Sequence, residues 1–341
     1  MTNFPLVSIC IPTFNAADTI KEMLDSVLSQ TYPNLIVHIS DNASTDNTLK
    51  IIETINSPRV NIYKNTANIG GEGNFNRCIQ LSEGKYTAIF HADDIYENDI
   101  VERQVQFLET FPEAGAVFTE AGLINENGDR IGSIQFPFKL LRQGELFDFL
   151  TIFKAVLKHS NFLLCPSAMV RTNIYKSEIK IWRSDHYKSS ADLDVWLRIA
   201  QSHKIALLPL PLIRYRISSF QFSANVRRQQ NGSDFFLVTK DYLSRDHVSR
   251  SLSAHDFENH ARLVRRDLLM VSINSILHGN FIQARLTISS LVFHELLMST
   301  FSDQRSFCVL LGWIYLKFML TIRFYKMTQL SLRIVIKYFN I

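Results

Sequence analysis

"KYTAIFHADDIYEND", residues 85–99, decides how the rest of the chain is read. An apolar run, Tyr86-Thr87-Ala88-Ile89-Phe90, ends abruptly on His91 and, one residue later, two adjacent carboxylates, Asp93 and Asp94. A short apolar run bounded by polar residues describes a buried strand. Neighbouring carboxylates repel, and they persist at low cost only when solvated, protonated or sharing a cation. Further apolar runs open at Val7 (VSICI), Leu35 (LIVHIS), Val60 (VNIY) and Ala116 (AVFT), with helical patterns in several of the gaps. Ile20, Met23, Leu24, Val27 and Leu28 recur at helical intervals behind a capping box of Thr19 and Glu22, and Asp99 with Glu102 repeats that box before "IVERQVQFLETF". Strands alternating with helices predict an α/β protein with a mainly parallel sheet, whose ligands bind beyond the carboxyl ends of the strands. The histidine and carboxylates then stand at the active edge of a Rossmann-like, nucleotide-binding layer.

Composition narrows the class. A chain of 341 residues, 46% apolar and 20% charged, can bury a large core. Cys10, Cys78, Cys165 and Cys308 are far apart with no CxxC pair, which argues against a zinc knuckle or a disulfide framework and fits a reducing cytoplasm. The opening "MTNFPLVSICIPTFN" has no basic segment ahead of an apolar stretch, so no signal peptide is expected. The net charge is +4, and residues 306–341 carry Lys317, Arg323, Lys326, Arg333 and Lys337 without one acid, leaving the remainder near neutral. A nucleic-acid binder would carry a basic face in its folded domain, and none is evident in the first 130 residues.

Other strand ends are also polar. The first strand runs into "PTFN" (12–15) and the second into "SDNASTDNT" (40–48), which puts Asp41 at a strand tip. Such a carboxylate can accept the imide N–H of uracil or thymine, while Asp93 can hold Mg²⁺ or Mn²⁺ bridging two phosphates, hard cations on oxygen ligands. The plainer readings are an Asx turn or helix cap for Asp41 and a solvated turn for Asp93 and Asp94. "IGGEGNFN" (69–76) has Asn76 where a dinucleotide loop needs its third glycine and does not follow the first strand, which excludes a Rossmann dehydrogenase. It either lets backbone approach a ligand, with Asn74, Asn76 and Arg77 nearby, or simply starts a helix.

Taken in order, "VSICIPTFN", "ISDNASTDNT", "NIGGEGNFN", "GKYTAIFHADD" and "ADLDVWLRIA" resemble the family 2 glycosyltransferases of GT-A fold, over residues 5 to about 220. The resemblance implies an inverting transfer of a sugar from a nucleotide diphosphate, UDP- or dTDP-linked by preference, to a hydroxyl of a glycan or lipid-linked acceptor in bacterial cell-surface polysaccharide synthesis, such as O-antigen or capsule. By matching positions, Thr13 and Asp41 would contact the base, and Pro12, Asn15, Asn74, Arg77, Ala92 and Asp93 would complete the nucleotide site. Asp93 would be the metal-binding aspartate of a DxD-like motif for Mn²⁺ or Mg²⁺, Asp192 the catalytic base, and His91, Asp94 and Asp194 supporting groups. His91 replaces the first aspartate of that motif, Ala191 stands where an acid often precedes the base, and Ser218 in "YRISS" replaces a histidine.

The chemistry also follows from the residues. An acceptor hydroxyl titrates far above neutrality, so a carboxylate within reach must remove its proton as it attacks the anomeric carbon. In "SSADLDVWLRIAQ" the apolar residues Val195, Trp196, Leu197, Ile199 and Ala200 build a helix with Asp192 near its start. Charge complementing the helix dipole is the alternative role for Asp192 and Asp194. The departing diphosphate gains charge that a metal at Asp93 would stabilise. Phe136, Phe138, Trp182 and Tyr187 could stack on sugar rings or form a Phe-rich core.

The domains expected are residues 1–225, with a nucleotide half to about 120 and an acceptor half after it, then a helical region 226–341 broken at Gly279-Asn280. In the tail, 306–341, Lys317 and Arg323 interrupt the apolar run before about 18 uncharged residues accumulate, so it should lie on a membrane rather than cross it. The expected location is therefore the inner face of the cytoplasmic membrane, the alternative being that the tail covers the transferase domain or joins two copies in a homodimer. A catalytically silent sugar-nucleotide binder and a membrane-associated scaffold are the competing functions.

Overall fold

The computed structural model describes residues 4–142, 144–218, 228–301 and 303–339. The chain divides into two compact units at Ser218/Ser219, and the boundary expected at residue 225 lies outside the described residues.

In the first unit, β1 (Val7–Thr13) is nearly all buried and pairs in parallel with β2 (Leu35–Asp41) on one side and β4 (Tyr86–Ile89) on the other, with β3 (Val60–Lys64) outside β2. A parallel strand covered by helices must be apolar on both faces, which is why "VSICI" shows no alternation. The crossover helices are α1 (Ile20–Leu28), α2 (Thr48–Glu53) and α3 (Gly70–Leu81), and α1 buries Ile20, Met23, Leu24 and Val27 as its spacing predicts. After the short β5 (Ile95–Tyr96), α4 (Ile100–Thr110) leads into β6 (Ala114–Ile124). β6 pairs with hairpin partner β7 (Arg130–Ile134) and, in parallel, with β10 (Lys204–Arg216). Between them lie α5 (Phe138–Leu141), β8 (Leu146–Phe147), α6 (Phe149–His159), β9 (Met169–Arg171), α7 (Ser184–Tyr187) and α8 (Ala191–Ser202).

The described strands form one sheet in the order β3-β2-β1-β4-β9-β6-β10-β5, with β7 and β8 on the margins of β6 and β10. The sheet is mixed rather than purely parallel, because β9 inserts antiparallel to both β4 and β6 and so welds the nucleotide half to the acceptor half.

Neither expected capping box forms. The Thr19 hydroxyl donates to the carbonyls of Ala16 and Ala92 and Glu22 is drawn to Arg216, while Asp99 pairs with Arg103 and Glu102 accepts from Thr31. Longer-range partners outcompeted the local ones. "GGEGNFN" forms the opening turns of α3, with Gly70 at φ +79 making the entry, so the helix-start reading is the one observed. Phe136, Trp182 and Tyr187 are buried core residues; Phe138 is exposed.

The second unit is helical: α9 (Phe235–Leu243), α10 (Asp246–Ser249), α11 (Ala254–Leu277), α12 (Phe281–Ser290), α13 (Phe293–Thr300), α14 (Gln304–Thr321) and α15 (Tyr325–Phe339). A reciprocal capping box of Ser253 and Asp256 opens α11, and Gly279 (φ +80) with the capping Asn280 makes the break before α12. Leu269 and Ile276 of α11 pack with Ile288, Leu296, Leu310 and Leu316 in its core. No helix among the described residues is long and apolar enough to cross a membrane.

Candidate active site

The parallel register of β1 and β2 sets Thr13 opposite Asp41, so both strand tips open at one level. Asp41 is wholly buried; its Oδ2 accepts from the Ser44 amide at 3.0 Å, whereas Oδ1 has no hydrogen-bond partner. One oxygen therefore makes the local turn. The other is a buried acceptor whose desolvation goes uncompensated until a donor arrives. The loops around it are stitched together by Asn15, whose side-chain Oδ1 accepts from the Thr45 amide at 2.8 Å and whose backbone amide donates to Ser44 Oγ at 3.0 Å. Asn15 and Ala43 both hold positive φ, 48 and 60, a conformation that costs a non-glycine residue free energy and recurs at ligand sites.

Asn74 faces inward from α3 and exchanges hydrogen bonds with Ser40, side chain to side chain at 2.6 Å and side chain to carbonyl at 2.8 Å. Asn42 likewise binds Asn65, Asn68, the Ile69 amide and the Gly70 carbonyl. These asparagines tie the β2 tip to the start of α3, a role that sequence reading missed for Asn42. Arg77 lies exposed on α3, and Pro12 sits within the β1–β2 ladder opposite Ser40.

Beyond β4 the chain makes a tightly held turn. Phe90 stacks on Tyr96 at 3.6 Å, the Tyr96 hydroxyl accepts from the His91 amide at 2.7 Å, and Thr19 Oγ1 donates to the Ala92 carbonyl at 3.0 Å. Arg216, 5% exposed at the end of β10, donates Nε to the Asp93 carbonyl, its amide to Asp94 Oδ1 (both 2.9 Å), and Nη2 to Glu22 at 2.7 Å. Ligand atoms of His91, Asp93 and Asp94 lie within 4.8 Å of one another. Asp94 is fully buried, so the solvated-turn reading fails for it. Burial and then the charge of Asp93 push its carboxyl well up, while burial pushes the His91 imidazole down against the pull of Asp93. His91 Nε2 and Asp94 Oδ2 are both buried without a hydrogen bond. A buried imidazole nitrogen and a buried carboxylate oxygen without hydrogen bonds, with the Asp93 carboxylate beside them, fit a divalent cation, the carboxylates suiting Mg²⁺ or Mn²⁺ and the imidazole favouring the transition metal of the two.

The third group stands at the start of α8, where two carboxylates one residue apart meet different fates. Asp194 is fully buried and paired with the guanidinium groups of Arg183, whose Nε donates to Oδ2 at 2.9 Å, and of Arg198 at 3.0 Å. It is a support for the helix start with its acceptor capacity spent. Asp192 keeps partial exposure; Oδ1 accepts from the Leu193 amide at 2.7 Å and Oδ2 from Asn161 Nδ2 at 3.1 Å. Desolvation pushes its carboxyl up to about 6, with both hydrogen bonds acting the other way. Asn161 follows Ser160 (φ 66), is oriented by the Leu163 amide at 3.1 Å, and gave no signal in the sequence. The Cys165 thiol is raised by burial and then by the charges of Asp192 and Asp94, so both carboxylates act on one neighbourhood. An aromatic run links the same two regions: Phe75 meets His91 edge-on at 5.7 Å and Trp182 at 4.6 Å, and Trp182 meets Trp196 of α8 at 6.0 Å.

A nucleotide-type sheet with polar strand tips, a clustered imidazole and carboxylates, and a desolvated carboxylate at the start of α8 fit a group-transfer enzyme. The family model "Glycosyl transferase family 2" matches residues 8–177, and the chain belongs to that family of glycosyltransferases. It is 28% identical over 240 residues to an uncharacterized glycosyltransferase of Haemophilus influenzae, covering 68% of this chain and 71% of that one. Over 105 residues it is 38% identical to WfaP of Escherichia coli, a UDP-Glc:alpha-D-GlcNAc-diphosphoundecaprenol beta-1,3-glucosyltransferase, covering 31% of this chain and 42% of that one. Among solved structures, residues 1–349 of S. aureus TarS in complex with UDP share the fold, with TM-score 0.58 and 17% identity over 96% of this chain and 91% of that one.

Proposed function

We propose that this protein transfers a sugar from a UDP- or dTDP-linked donor, with inversion, to a hydroxyl of a glycan or lipid-linked acceptor in cell-surface polysaccharide synthesis. The observation that carries the reading is Asp192, a carboxylate raised to about 6 that acts on the same neighbourhood as the His91–Asp93–Asp94 cluster. At neutral pH such a group is largely ionised yet far more basic than a solvated aspartate, which suits a general base.

The imide N–H of a uracil or thymine donates to the open Oδ1 of Asp41, with Thr13 opposite and Asn15 holding the loop around it. His91, Asp93 and Asp94 would hold a divalent cation, which when bound neutralises the charge that develops on the departing diphosphate. The acceptor hydroxyl attacks the anomeric carbon from the face opposite the diphosphate. The new C–O bond forms, the bond to the phosphate oxygen breaks, and the hydroxyl proton passes to Asp192. Asn161 and the Leu193 amide orient that carboxylate throughout.

The names of relatives support the donor and acceptor classes: WfaP takes a UDP-sugar and a diphosphoundecaprenol-linked acceptor, and TuaG of Bacillus subtilis, 33% identical over 111 residues, is a putative teichuronic acid biosynthesis glycosyltransferase. An acceptor of that type would place the enzyme at the cytoplasmic face of the membrane. Thermal-shift screening against UDP-, dTDP-, GDP- and CMP-sugars with added Mn²⁺ or Mg²⁺ tests the donor, and release of free nucleoside diphosphate tests turnover. A metal-dependent shift with UDP or dTDP compounds is expected. A shift confined to GDP or CMP compounds would refute the assignment of Asp41, and donor binding without any turnover would indicate a catalytically silent relative.

A further inference from the structure

The helices of the second unit are apolar on two sides. Val309, Leu310, Leu316 and Leu320 turn α14 into the unit's core, which is the stripe a packed helix needs. A second stripe, Phe307, Leu311, Ile314 and Phe318 along α14 and Ile322 at its C-cap, recurs at helical spacing and is exposed, Phe318 by 61%. The same doubling recurs on three neighbouring elements. Ile282 and Leu286 project from α12, and Phe293, Leu297 and Phe301 run along and just past α13, with Phe301 82% exposed. Met327, Leu330 and Ile334 run along α15. Exposed apolar surface on this scale marks an interaction site rather than ordinary solvent-facing residues.

Charge selects the occupant. From Phe281 to Phe339 the chain holds seven Lys and Arg residues and two acids, Glu295 and Asp303. Both acids are taken up by arginines of α11, Glu295 by Arg265 and Asp303 by Arg262. Arg305, Lys326 and Arg333 remain exposed on the same helices as the apolar stripes, and Arg323 is exposed in the link between α14 and α15. Exposed apolar side chains interspersed with cations, with the acids neutralised from behind, match the interface of an anionic bilayer, where acyl chains take the former and phosphates the latter. A two-fold contact with a second copy would set this cationic surface against itself. We propose that α12–α15 together form an in-plane membrane-binding surface for anionic phospholipid, wider than the tail expected from sequence. This deepens the lipid-linked-acceptor reading above, and vesicle binding tests it without donor, acceptor or turnover.

The experiment uses the full chain with vesicles of phosphatidylcholine alone and of phosphatidylcholine mixed equally with phosphatidylglycerol. The protein should sediment with the anionic vesicles, far less with the neutral ones, and less again at high salt. Leu311→Glu combined with Phe318→Glu, both at exposed positions, should cut the bound fraction by about tenfold or more while helicity by circular dichroism is unchanged. Light scattering on the same samples reads the alternative. A dimer that the double variant splits, with no vesicle binding by either protein, overturns the proposal, as does a full-length protein that stays in solution with both vesicle types. Vesicle binding by a protein that transfers no sugar would sink the enzymatic reading and leave this one intact.

Discussion

Replacing Asp192 with Asn should cost activity and raise stability together. The carboxyl is pushed from the ordinary 3.8 to about 6 by desolvation, a penalty worth up to about 3 kcal/mol of folding free energy. Its sign follows from the direction: the folded pKa is the higher, so the penalty is absent below about pH 4, grows as pH rises through 6, and is complete at pH 8. Asparagine never ionises and escapes it. Its single oxygen, however, cannot accept from both the Leu193 amide and Asn161 Nδ2, which returns about 1 kcal/mol. Partial exposure of the site screens some of the rest, leaving a net gain of about 1–2 kcal/mol, or roughly 2–8 °C in Tm for a unit of this size. Turnover should fall by roughly 10²-fold or more with donor binding retained, because the variant cannot take the proton. Melting curves of both proteins at pH 4 and pH 8, with nucleotide release at pH 8, measure all three quantities. A Tm difference that is the same at both pH values would refute the desolvation argument, and turnover within tenfold of wild type would refute the base.

Four further outcomes are expected. Asn161→Ala removes a hydrogen bond to the ionised form of Asp192, so the acid limb of kcat/KM, near pH 6 in the wild type, should move to higher pH with little loss above pH 8; an unmoved limb would show that Asn161 does not tune the base. Asp194→Asn removes the buried charge that pairs with Arg183 and Arg198 and should destabilise the protein by about 3 kcal/mol, seen as a lowered Tm with per-molecule turnover of the folded fraction kept. Asp41→Asn presents an N–H to the base, so uracil donors should bind roughly 10-fold or more weakly, while cytosine nucleotides, whose N3 accepts, lose less in the same titration. Asp93→Ala should abolish transfer with an unchanged circular dichroism spectrum, and near wild-type turnover would remove Asp93 from the metal role.

The alternation of strands and helices over about the first 120 residues, the parallel pairing of β1 to β4, and the placing of Thr13, Asp41 and Asp93 at or just past strand ends were legible in the sequence, because apolar period and segment length are local properties of the chain. So was the position of Asp192 in the first turn of its helix. The antiparallel insertion of β9 was not, since a three-residue strand carries no periodicity of its own. The different surroundings of neighbouring carboxylates were equally invisible in the residues, and only the family resemblance sets Asp192 and Asp93 apart from Asp194 and Asp94. Asp192 and Asp194 share a helix turn and a charge, but Arg183 and Arg198 pack on Asp194 and make it a buried, ion-paired support, whereas Asp192, held by Asn161, keeps the partly exposed carboxylate proposed above as the base. Asp93 and Asp94 are separated in the same way by Arg216, 122 residues from Asp94. Local pattern specifies which backbone a residue sits on; burial and distant partners, which set how tightly a carboxylate holds its proton, exist only once the chain has closed on itself.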